Sequence, residues 1–172
     1  IMQLDGTINY AVYENGSEYY GMASFTDADR KNKTFTLNGA GIAGDVTIPV
    51  IGHRDAMVTK INFRTATADA CHLSEMRRHI LDCRAAVEEY DSTSGQLRVH
   101  PHKVIVEVLP LSLSGGDIAP SSPQAVSGEY AVISRKYYID DVLMEDYQPL
   151  NFRDVDASGN DNLADVRSAL GK

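Results

Sequence analysis

Cys71, His72, His79 and Cys83 are of the types that ligate transition metals. On one continuous helix His72, His79 and Cys83 project to similar sides. Spacing argues against a shared ion, because at about 1.5 Å per residue His72 and Cys83 stand ~16 Å apart along the axis. His79 and Cys83 alone are too few for a structural zinc, so Cys83 reads as a small core residue. His53 precedes Arg54-Asp55, but no Gly-x-Ser-x-Gly elbow supplies a nucleophile, and it reads as structural or interfacial. His100-Pro101-His102 sets two imidazoles on one side of a strand, and the proline marks an edge or a bulge rather than a ligand pair. Glu88 and Glu89 alternate across a strand and cannot face each other as an acid and a base. Asp140-Asp141 reads as a turn. No catalytic signature, metal site or cofactor site is expected.

The glycine-rich stretch "NGAGIAGDVTIPVIGHRDAM" (38–57) has two chemical readings to exclude. Gly39 and Gly44 have the spacing of a phosphate-binding P-loop, but Asp45-Val46 stands where Lys-Ser/Thr is needed, and an acidic residue repels phosphate. Gly39, Gly41 and Gly44 match a dinucleotide fingerprint literally. The next residues, "DVTIPVIG", are rich in β-branched side chains and include a proline, so no helix begins there to meet a pyrophosphate. A long shaped loop remains, and Ile42, Val46, Ile48, Val50 and Ile51 make it too apolar for disorder. Apolar residues on an exposed loop need a protein surface to cover them.

The elements that position these residues are mostly short strands. Asn15-Gly16 joins β-prone runs at 8–13 and 18–26, which is a hairpin signal. "NKTFTLN" alternates as a half-buried strand. In "AMVTKINFRTA", Met57, Ile61 and Phe63 share one face and Lys60, Asn62 and Arg64 the other. "ADACHLSEMRRHIL" switches to helical spacing through Leu73, Met76 and Ile80, with Asp69 as N-cap. Strands flank a turn at 91–95, and Val104, Val106 and Val108 face one way. "LSLSGGDIAPSSPQAVSG" reads as loop, and "EYAVISRKYYID" and "VLMEDYQPL" as strands about Asp140-Asp141. The chain closes on a short helix with Leu163, Val166 and Leu170 as its stripe and Gly171 as terminator. Neither repeat nor linker appears, so 1–172 reads as a single domain. The fold expected is mainly β (α+β): an antiparallel sandwich or barrel with one flanking helix and a short C-terminal helix.

Composition bounds the function. Of 172 residues, 43% are hydrophobic and 23% charged, as in ordinary globular domains, and the formal net charge of -8 disfavours tight nucleic-acid binding. No run of about 18 apolar residues is long enough to span a bilayer. The opening "IMQLDGTINY" has neither the basic nor the apolar region of a secretory signal. Two cysteines make no disulfide framework; both are expected reduced, in a protein made in a cytoplasm.

"GAGIAGDVTIPVIGH" (39–53) resembles the signature loop of the major tail tube proteins of contractile-tailed phages and phage-tail-like bacteriocins. The resemblance extends over nearly the whole chain: the opening hairpin "INYAVYENGSEYYGMASFT", Asn62-Phe63-Arg64-Thr65, "YDSTSGQLRVHP", "KYYIDDVLMEDYQPLNF" and the closing "LADVRSALG" (163–171). Departures are Asp27-Ala28-Asp29 where Leu-Pro-Asp is frequent, Asp141 in place of a turn glycine, and a longer, more polar "RDVDASGNDN". The resemblance implies a barrel-like or sandwich domain whose copies close into six-membered rings and stack into a hollow tube. Inner hairpins of neighbours line the lumen, and the 38–57 loop reaches another subunit through Gly39, Gly41, Ile42, Gly44, Val46, Ile48, Pro49, Val50, Ile51, Gly52 and His53. It implies sheath, baseplate and tail-terminator partners, DNA passing without specific binding, no membrane anchor, no cofactor and no catalysis. It places the protein in the virion tail or a phage-tail-like particle, made and assembled in the bacterial host cytoplasm. Lys60, Asn62, Arg64 and Glu107 are candidates to face the lumen; either acidic residues such as Glu88, Glu89 or Glu107 neutralise the basic patch, or that face is not luminal. The alternative reading is the tube of a type VI secretion-like machine carrying protein effectors. A β-rich binding module or enzyme centred on His53 is a third, remoter reading.

Overall fold

The computed structural model describes residues 3–172; residues 1 and 2, part of the opening decapeptide read for a leader, lie outside them. The chain forms β1 (Gln3–Glu14), β2 (Ser17–Tyr19), β3 (Met22–Thr26), β4 (Asn32–Leu37), β5 (Val46–Arg54), β6 (Met57–Phe63), α1 (Ala68–Leu73), β7 (His79–Asp91), β8 (Leu97–Ser114), β9 (Val126–Ile139), β10 (Val142–Gln148), β11 (Arg153–Val155) and α2 (Ala164–Ala169), with a 3-10 turn at Pro149–Asn151. Every pairing is antiparallel. The main sheet runs β11-β10-β9-β8-β7-β1-β2, and the first half of β9 also pairs with β6, which pairs with β3. Gly21, at φ +82°, redirects the chain from β2 on one border to β3 on the other, and its carbonyl accepts the Arg64 N–H at 2.8 Å. The borders are thereby drawn together, and the sheet curls into a barrel-like body.

Alternation fills that body. Val12, Ile61, Phe63, Leu81, Val106, Val108 and Tyr130 are fully buried at its centre, and Ala70 and Leu73 of α1 pack into the same core. Both expected tight turns form with two left-handed residues: Asn15-Gly16 at φ +51° and +81°, and Asp140-Asp141 at +52° and +62°. Short acidic side chains tolerate that region, so the turn forms without glycine.

β9 pairs with β8 only as far as Ile139 opposite His102. Beyond that point β8 continues beside β7, and β7 beside β1, with Leu97 opposite Tyr90 and Tyr90 opposite Leu4 in turn. A three-stranded arm therefore projects past the barrel, and β1 has a register shift between Thr7 and Asn9 at its root.

Several sequence expectations are corrected. The segment 38–57 is not one loop: its β-branched run pairs as β5, Met57 opens β6, and only 38–45 and 55–56 are irregular. The helix is one short element capped by Thr67, whose side chain accepts from the Ala70 N–H, rather than by Asp69. Met76, 88% exposed, lies past its end, and Ile80 points outward from β7, because His79, Leu81 and Cys83 alternate inward at strand period. β4 is exposed along its whole length rather than half-buried. The 18–26 run is two strands divided at Gly21, and "LSLS" belongs to β8, leaving 115–125 as the loop.

Candidate assembly interface

The β4–β5 hairpin is a two-stranded sheet of its own, outside the main sheet. Phe35, Leu37, Ile42, Val46 and Ile51 are exposed on it. An isolated hairpin is marginal in water, so this one depends on what holds its base and on what covers its faces.

The base is held by charge. Arg54, the last residue of β5, is buried; it hydrogen-bonds Glu145 of β10 and, through Nη2, Asp154 Oδ1 of β11 at 3.1 Å. Its guanidinium lies 4.0 Å from the centre of the Tyr147 ring. Arg135 of β9 reaches the same Glu145 at 2.6 Å and Asp27 at 2.6 Å. Arg30 adds a third guanidinium at 3.6 Å; a buried carboxylate so shared is compensated, whereas removing an inner partner weakens that compensation in low dielectric. The sequence alone assigns no role to Arg54, Arg135, Glu145 or Asp154. Nothing in their spacing distinguishes inward charges from solvated ones.

Between β5 and the C-terminal segment runs an apolar groove of about 700 Å³, whose lining includes Phe35, Ile48, Val50, Tyr147, Phe152 and Val166. Gly52 lies at its floor with φ +66°, and a Cβ there would come within 2.2 Å of Leu163 Cδ2. Gly52 thus serves close packing within the chain. Gly39 (φ +120°) and Gly41 (φ +91°) need glycine for their backbone, but they and Gly44 have no atom within 4 Å of a built Cβ. Ile48 and Val50 turn toward the groove; Val46, Pro49, Ile51 and His53 are exposed.

The residues considered for a lumen do not form one cluster. Lys60 and Asn62 lie on the outer side of β6, where Lys60 stands opposite Glu129 and Asn62 Nδ2 donates to Ser24 Oγ at 2.8 Å. Arg64 is exposed just beyond β6. Glu107 sits across β9, opposite Ser134, and pairs with Arg78 at 3.2 Å. Glu88 and Glu89 belong to the projecting arm. The acid beside Lys60 is Glu129, which the sequence reading did not single out.

The metal-type residues disperse as well. Cys71 lies on α1 and Cys83 on β7, where burial pushes its thiol up to about 12, helped by Asp27 and Asp82. His79 is fully buried, with Nδ1 2.9 Å from Glu14 Oε1 and Nε2 2.9 Å from the Glu75 carbonyl. His100 and His102 have separate partners, Asp140 with Glu89 for the first and Tyr137 for the second. Among the described residues no three His, Cys, Asp or Glu side chains are arranged to hold a metal, and no helix is long and apolar enough to cross a membrane.

A family model described as phage tail tube protein FII matches residues 7–171. No curated protein matches the chain. Two solved structures of an extracellular contractile injection system, PVC, contain chains of similar fold. One, from the sheath/tube terminator in the extended state, has TM-score 0.51 at 9% identity and covers 76% of this chain and 94% of the other. The second, from the sheath-tube complex in the extended state, has TM-score 0.51 at 11% identity and covers 76% of this chain and 88% of the other.

Proposed function

Since the chain belongs to the phage tail tube protein FII family, we propose that it is the structural subunit of the inner tube of a contractile phage tail or phage-tail-like particle. The family match over residues 7–171 carries this reading. The geometry supports it: Phe63, Leu81, Val106 and Tyr130 fill the barrel interior, so a conduit can only lie between copies. Head-to-tail contacts close into rings when the rotation allows, and stacked rings extend into a tube. Six copies form each ring in this reading, and rings stack through the β4–β5 hairpin.

The contact set runs from the open glycine loop, Gly39, Gly41, Ile42 and Gly44, into Val46, Ile48, Pro49, Val50, Ile51 and His53. Gly52 supports that strand from within. Sheath, terminator and baseplate proteins are the partners, and the solved chains of similar fold come from sheath, tube and terminator assemblies. The role requires no catalysis and no cofactor. The net charge of -8 suits a wall past which DNA slides without sticking. The secretion-machine alternative is not favoured, because the family matched is a phage tail component.

Negative-stain electron microscopy of concentrated protein, supplied with a tail initiator complex, tests the proposal. Hollow tubes with a regular axial repeat and six-fold end views are expected. Monomers alone under those conditions overturn it.

A further inference from the structure

One histidine side chain joins the projecting arm to the β9–β10 turn. His100 of β8 lies two residues beyond the last position that β9 pairs. Its Nδ1 is 2.9 Å from Asp140 Oδ1 in the β9–β10 turn, and its Nε2 hydrogen-bonds Glu89 Oε2 of β7. The backbone N–H of Asp140 also donates to the Pro101 carbonyl at 3.0 Å. One ring therefore bridges β7, β8 and the turn.

Both ring nitrogens face carboxylate oxygens. An ionised carboxylate only accepts, so each nitrogen must donate, and the bridge is complete only as imidazolium. A neutral ring turns a bare lone pair onto Glu89 or Asp140. The surroundings carry both signs: Asp5 of β1 stands opposite Glu89 on one side and Arg98 of β8 on the other, and Asp141 is the next residue after Asp140. Glu18 and Arg84 line the hollow beside the ring, with Arg84 committed to Asp82 at 2.9 Å.

We propose that His100 is a proton-operated staple: charged, it fastens the three-stranded arm to the β9–β10 turn, and neutral, it frees the arm to move against the barrel. The hydrogen bond to Glu89 raises the imidazole above its ordinary range, burial opposes this, and Asp140 adds to the rise. A raised folded value means that the fastening is complete below the ordinary imidazole value of 6.5 and is lost as pH climbs through the folded value. This device does not rest on the tube reading.

Hydrogen exchange at residues 87–91 and 97–100, referenced to β6 amides in the same sample to cancel intrinsic base catalysis, tests it at about pH 5.5 and about pH 9, on either side of the imidazole range. In the wild type, arm protection relative to β6 is expected to fall severalfold at the higher pH. His100→Gln is expected to show the released value at both. An unchanged wild-type ratio, or the same fall in His100→Gln, overturns the proposal. Ring ¹⁵N shifts of the wild type give an answer independent of any variant. Two protonated nitrogens at about pH 6.5 are expected, and a predominantly neutral tautomer there overturns it.

Discussion

Glu14 shows how one residue can join several elements. Burial works to raise its carboxyl pKa, but hydrogen bonds from Arg77, Tyr19 and His79 outweigh burial and hold it below the usual value of 4.5. A depressed acid contributes stability above its unfolded value and loses it as pH falls through the folded one. Wild-type unfolding midpoints in urea should therefore drop on acidification below about pH 4.5, the ordinary carboxyl value. Glu14→Gln should flatten that drop and cost about 1–3 kcal/mol at neutral pH, because one of the two accepting oxygens that Tyr19, Arg77 and His79 share becomes an NH2 donor and the negative charge beside Arg77 is lost. The two thiols offer a second check at this scale. Cys71 is exposed, whereas Cys83 is buried and its thiol is pushed up to about 12. A colorimetric thiol titration of the native protein should count one group, and two in denaturant.

At the scale of elements, the β4–β5 hairpin separates glycines that fold the chain from glycines that leave it free. Gly52→Ala places a Cβ against Leu163 at a backbone angle of φ +66°. Both effects oppose folding, so the monomer's thermal midpoint should fall by several degrees. Gly41→Val meets open space, and its strain at φ +91° lies in an exposed loop that can relax. It should weaken polymerisation more than it lowers the monomer's midpoint; the reverse order would make the loop internal in role. The strands and tight turns were legible because alternation and Asn-Gly or Asp-Asp chemistry are local. The helix was over-read: Leu73, Met76 and Ile80 satisfy a helical period, but His79, Leu81 and Cys83 also satisfy a strand period, and β8 was there to pair with the latter.

For the whole molecule, a filled barrel with an exposed apolar hairpin implies assembly. Ile51 is 68% exposed and Val46 46% exposed. Ile51→Asp combined with Val46→Asp should leave the monomer's unfolding free energy within about 0.5 kcal/mol of wild type, as surface substitutions do. Sedimentation should then show only monomers under conditions where the wild type is expected to form tubes. Retained tubes would remove these two residues from the contact. The sequence resemblance pointed to this assembly role, and the family match over residues 7–171 supports it.

By itself the sequence determined the antiparallel β class, the hairpin turns, the closing helix and the absence of recognisable catalytic spacing. All of these depend on residues near one another along the chain. Only the tertiary structure decided that Arg54 and Glu145, 91 residues apart, meet under Tyr147. It also decided that Gly52 is fixed by Leu163, that Lys60 faces Glu129 rather than Glu107, and that His100 bridges Glu89 and Asp140. Those partners are set by how the sheet curls and where β9 stops. Curl and strand length are collective outcomes of packing one core, which no local spacing encodes.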